Sequence, residues 1–86
     1  MAILQDLTEA LAQDVIDAQD ELGDDRFYEK VSKILLDMSP TTQEAYMTAV
    51  RVILAERKAR KFLEASLEAR RKGTAGPAAP RDTVGH

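Results

Sequence analysis

Apolar residues recur along most of the chain in the three- and four-residue steps of α-helices. At the helical interval of about 100° per residue, Leu4, Leu7, Leu11, Val15, Ala18 and Leu22 share one stripe, with Asp6, Glu9, Gln13, Asp17, Asp20 and Glu21 opposite. The pattern predicts a first helix over residues 2–22 that buries this stripe. Ile16 falls off it and is a candidate external contact. Gly23 can adopt the left-handed conformation that closes many helices, and Asp24 or Asp25 can accept hydrogen bonds from the free N–H groups opening the next one. A second helix over residues 26–38 then presents Phe27, Val31, Ile34, Leu35 and Met38 as its core face, with Tyr28 beside it and Leu36 pointing away.

Pro40 marks the clearest boundary. It disfavours helical geometry at Ser39 and lacks the N–H that a helix interior needs, so the second helix must stop there. The same pair opens the third helix, with Ser39 as N-cap and Pro40 in the first helical position. Thr41 and Glu44 form an alternative capping box. No breaker follows until Gly73, so the third helix is expected over residues 40–72. At about 1.5 Å per residue it would be about 50 Å long, roughly 20 Å more than the diameter of a compact globule of this size. The expected architecture is all-α: a helical domain over residues 1–72, made of three helices with a long third, then a tail over residues 73–86. That tail holds three Gly, two Pro and one large aliphatic residue, Val84, and is expected to be disordered.

The third helix carries two apolar sets. Tyr46, Ala49, Val50 and Ile53 suit packing against the first two helices. Ala45, Thr48, Val52, Ala55, Ala59, Phe62, Ser66 and Ala69 follow strict heptad steps, a coiled-coil seam of small residues along which a second backbone could come close. Leu63 and Leu67 flank it. The expected interface residues are therefore Val52, Ala55, Ala59, Phe62, Leu63, Ser66 and Leu67, and antiparallel pairing keeps the clusters around Arg57–Lys61 of two chains apart.

Composition narrows the functional classes. At 86 residues the chain makes one domain at most, near the size where a lone core becomes marginal. Apolar residues make up 44% and charged residues 31%, which suits a folded chain, and the near absence of aromatics implies an aliphatic core. The net charge of −3 conceals a polarised distribution: eight acids and no base over residues 1–25, against eight bases and three acids over 51–72. Two mutually attracting solvated helices would account for it. Part of the basic charge is also expected to be paired, Glu56 with Arg60 and Glu68 with Lys72. No apolar run approaches the roughly 18–20 residues of a membrane span. The first residues are acidic where a signal peptide needs bases, so cytoplasmic residence is expected.

Chemistry finds little to work with. There is no Cys, and the single His is His86. Nucleophilic catalysis at Ser32, Ser39 or Ser66 would lack an imidazole base. Gly23 stands alone in the expected folded region, so no phosphate-binding loop is present. Asp14, Asp17 and Glu21 line one side of the first helix, but the Glu-x-x-His pattern of dinuclear carboxylate bundles and the loop of a calcium site are missing. No catalytic residue, metal ligand or cofactor is expected. Ser39-Pro40-Thr41-Thr42-Gln43-Glu44-Ala45-Tyr46, then Val50-Arg51, resembles a stretch in the helical core-binding domain of phage-integrase-type tyrosine recombinases. The likeness spans about a dozen residues, much of it helix-start chemistry shared by many helices. Gln43 and Glu44 stand where that family commonly has bases. It would imply a small DNA-associated module, but the acidic first segment would repel a polyanion. The expected function is a non-enzymatic adaptor or regulator, acting as a homodimer through the third helix, with room for another protein partner. A small DNA-associated module is the alternative, as is a partner-dependent regulator of the antitoxin or anti-sigma kind.

Overall fold

The computed structural model describes residues 2–78. They form three α-helices and no strand: α1 Ile3–Leu22, α2 Phe27–Met38 and α3 Pro40–Lys72. The chain divides into two compact units, Met1–Ala55 and Glu56–His86.

In the first unit the boundaries follow the local chemistry. Gly23 is left-handed at φ 67°. Its N–H donates to Asp20 O at 3.2 Å, and the Asp24 N–H donates to Gln19 O at 3.1 Å. This pair of bonds satisfies carbonyls that the end of α1 would otherwise leave open. Asp24 then folds the link to α2: its carboxylate accepts from the Arg26 N–H at 3.0 Å and from Lys30 Nζ at 2.7 Å. These bonds hold its pKa below the ordinary carboxylate value, the lysine contributing most. Between α2 and α3 a single residue serves both helices. The Ser39 N–H donates to Leu35 O at 2.8 Å, while its Oγ accepts from the Thr42 N–H at 3.1 Å. Ser39, rather than the Thr41–Glu44 box, is the N-cap.

Ala12, Val15, Ile16, Tyr46 and Val50 form the buried core, with Leu11, Phe27, Tyr28, Val31, Leu35, Met47, Ala49 and Ile53 partly buried against it. Tyr46 and Val50 are fully enclosed, as the apolar pattern of α3 leads one to expect. The face that α1 buries differs from the expected stripe. Leu7 is 63% exposed, and Leu4 and Leu22 are exposed as well, whereas Thr8, Ala12 and Gln19 are buried and Ile16 is only 4% exposed. Ile16 is thus a core residue and not an external contact. The buried arc is turned by roughly 80° about the helix axis from the expected one. Shape explains the turn: Ala12, a small residue, faces a cluster that must hold the whole of Tyr46, which a leucine stripe would crowd. The buried polar groups on this arc are satisfied. Thr8 Oγ1 donates to Leu4 O at 2.7 Å, and Gln19 Oε1 accepts the Tyr28 N–H at 3.1 Å.

A similar correction applies to α2. Ile34 is exposed and Met38 is 85% exposed, although the apolar pattern places both in the core. Phe27, Val31 and Leu35 do turn inward, with Tyr28. Gln43 Nε2 donates to Ser32 Oγ at 2.8 Å, and Tyr46 Oη donates to Tyr28 O at 3.0 Å, tying this face of α2 to α3.

The second unit contains the last turns of α3 and the chain that follows. Gly73 is left-handed at φ 72°. Its N–H donates to Arg70 O at 3.2 Å, and the Thr74 N–H donates to Ala69 O at 2.8 Å, repeating the closure seen at Gly23. Gly76 lies against the helix: a Cβ added there would stand 3.7 Å from Ser66 Cα and 3.8 Å from Ala69 Cβ. The start of the expected tail therefore covers part of α3. Residues 79–86, the larger part of that tail, lie outside the described residues.

Candidate interaction surfaces

In the first unit, α1 and α3 part to leave a groove of about 630 Å³. Leu4, Gln5, Thr8, Glu9 and Gln13 of α1 form one wall, and Ala45, Thr48, Ala49, Val52 and Ile53 of α3 form the other. The groove exists because both helices present short side chains here. Thr8 on one side and Ala45, Thr48 and Ala49 on the other cannot fill the space between their backbones. Leu4 and Val52 at the rim are exposed. Beyond the α1 wall lies the acidic face of that helix, where Gln13 Nε2 donates to Asp17 Oδ1 at 3.0 Å. Of the expected interface residues, this unit contains Val52 and Ala55, both exposed.

The second unit contains the remaining five. Ala59, Phe62, Leu63 and Leu67 are exposed, and Ser66 is half-buried with its hydroxyl donating to Phe62 O at 2.8 Å. Among the described residues of this unit only Ala69 is buried, beneath Thr74 and Gly76. The seam's last two members thus touch the chain's own following segment, while Phe62, Leu63 and Leu67 remain uncovered. Both expected ion pairs form: Arg60 Nε donates to Glu56 Oε2 at 2.7 Å, and Lys72 Nζ stands 3.1 Å from Glu68 Oε2. The Glu56 carboxylate raises the Arg60 pKa, first through this hydrogen bond and then through its charge. These are exposed pairs one helical turn apart and contribute little to stability.

Comparison with protein-family models, with curated proteins and with solved structures finds no match. The surfaces must be read from their own chemistry. Among the described residues, no group of three or more His, Cys, Asp or Glu side chains is arranged to hold a metal ion, and every buried side-chain nitrogen or oxygen has a hydrogen-bond partner. No described helix is long and apolar enough to cross a membrane. What the arrangement offers is apolar surface flanked by charge. The groove itself escaped the sequence reading. Its signal was the coincidence of small residues on α1 and α3, visible only once their facing arcs are known.

Proposed function

We propose that the chain acts without catalysis of its own, as a helical interaction protein of adaptor or regulatory type that pairs with a second copy through α3. The observation that supports this reading is the exposure of Phe62, Leu63 and Leu67 along a helix that covers only Ala69 within its own unit. Phe62 is 37% exposed, far more than a packed aromatic of a single-chain core. Most of the stability of a helix in a folded protein comes from packing an apolar face. A second copy suits the face because its heptad spacing is self-complementary. Cytoplasmic residence belongs to this reading, and nucleic acid does not.

Sedimentation equilibrium of the wild type and of Ala59→Glu tests it. The wild type should sediment as a dimer at tens of micromolar. Ala59 is exposed in the single chain, so the substitution should leave the helix content intact by circular dichroism while placing an unpaired charge inside the contact. A penalty of about 3 kcal/mol would weaken association roughly a hundredfold. A wild type that stays monomeric at that concentration would refute the homodimer.

A further inference from the structure

We infer that the chain following α3 is a built-in competitor for the pairing surface: residues 73–76 form a strap over the C-terminal end of the seam, and a second copy extends its contact there only when the strap lifts. The inference rests on the homodimer reading and adds a way in which the chain limits it. Every contact that carries it lies within the second unit.

The strap follows from the chemistry of a few residues. Gly73 is left-handed and turns the chain back toward α3. The Thr74 N–H donates to Ala69 O at 2.8 Å, and its hydroxyl donates to the same carbonyl at 3.4 Å. Two residues on, Gly76 rests on Ser66 and Ala69. A Cβ built at Gly76 would stand 3.7 Å from Ser66 Cα, 3.8 Å from Ala69 Cβ and 3.9 Å from Ser66 Oγ. Small residues on both sides permit so close an approach. Ala69 is only 8% exposed as a result, whereas Phe62, Leu63 and Leu67 stay open.

Ser66 and Ala69 continue the alternating steps of Ala59 and Phe62. The residues under the strap are therefore the ones that a paired helix would reach next. Helices that meet on small side chains stand about 8 Å apart between axes. With Cα atoms about 2.3 Å from each axis, their backbones come within about 3.5 Å. Gly76 already occupies that depth over Ser66. No further backbone fits between, so the strap and a second helix exclude one another at this end of the seam. Thr74 and Gly76 are themselves exposed, and the strap is free to lift on its solvent side. With about nine-tenths of chains closed, each protomer's competence to pair falls about tenfold, and a dimer that must open two straps weakens about a hundredfold.

Two full-length variants move the strap in opposite directions. Gly76→Gln adds a side chain where there is room for little more than a Cβ, and leaves the Gly73 and Thr74 bonds that end the helix in place. Its homodimer should be about tenfold tighter than the wild type, or more, in sedimentation equilibrium, with helix content unchanged by circular dichroism. The Ser66→Cys, Gly76→Cys double variant suits a disulfide, whose Cβ atoms stand about 3.5–4.5 Å apart, and the chain has no other cysteine. Oxidised in dilute solution it should close within one chain. That locked form should associate at least about tenfold more weakly than the same protein reduced. Gly76→Gln matching the wild type, or the locked form matching the reduced one, would overturn the competition and leave the homodimer standing. A disulfide that does not form within one chain would overturn the seat of Gly76 on Ser66 and the inference with it. A chain monomeric at tens of micromolar in every form, Gly76→Gln included, would overturn the homodimer itself.

Discussion

Replacing Tyr46 with Phe should make the chain less stable at neutral pH and more stable above about pH 11, an inversion that follows from the burial of one hydroxyl. Tyr46 is completely enclosed, and its hydroxyl donates to Tyr28 O at 3.0 Å. Removal from water, and secondarily the neighbouring Tyr28, push its pKa from the ordinary 10.0 up to about 12. Below pH 10 the folded and unfolded chains both keep this proton, and the hydrogen bond contributes a constant amount. As pH rises from 10 to 12 the unfolded chain releases the proton and the folded chain holds it. The unfolding free energy therefore falls, by about 1.4 kcal/mol per pH unit and about 2.7 kcal/mol across the window. The Phe variant escapes this loss but gives up the hydrogen bond to the Tyr28 carbonyl, at a cost of about 1 kcal/mol. The two effects should cancel near about pH 10.7. Urea unfolding followed by circular dichroism, at fixed protein concentration between pH 7 and 11.5, gives both curves. A wild-type-minus-variant difference that stays constant up to pH 11.5 would show the reasoning to be wrong.

Three further substitutions probe the fold. Ile16→Ala should cost about 2–5 kcal/mol as a core truncation, and Leu7→Ala less than about 0.5 kcal/mol as a surface one; equal losses in urea unfolding would contradict the rotated face of α1. Ser39→Ala should cost about 1 kcal/mol by removing the acceptor for the Thr42 N–H. Thr41→Ala should change the thermal midpoint much less, and the reverse order would move the cap to Thr41. Asp24 has a depressed pKa, so the stability it contributes is present above the ordinary value of 3.8 and lost as pH falls through its lowered one. Asp24→Asn should accordingly flatten the acid limb of the stability curve below pH 4, as read by an acid titration of helix content, and an unchanged limb would remove Asp24 from the account.

The sequence by itself determined where the helices begin and end, because those signals act within a few residues. Gly23 and Gly73 close helices by donating to carbonyls three residues back while Asp24 and Thr74 donate to carbonyls five back, and Ser39 caps through the N–H of Thr42. The Glu56–Arg60 and Glu68–Lys72 pairs were legible for the same reason, each spanning one helical turn. The inward face of α3 was also readable, since Tyr46 and Val50 lie in a stretch apolar nearly all round. Which arc α1 would bury was not. Counting leucines favours Leu4, Leu7 and Leu22, but the choice belongs to the shape of the partner, and Ala12 admits Tyr46 where a leucine would not. Gln19 is buried because the turn at Gly23 brings the Tyr28 N–H to its side chain. Met38 and Ile34 look like core until α2 is seen to present Phe27, Tyr28, Val31 and Leu35 inward instead. The candidate surfaces divide along the same line. The heptad spacing of Val52, Ala55, Ala59, Phe62 and Ser66 is a property of the chain alone. The groove beside Val52, and the cover that Gly76 lays over Ser66 and Ala69, exist only because residues distant in sequence meet, and their fit depends on side-chain volume that no periodicity encodes.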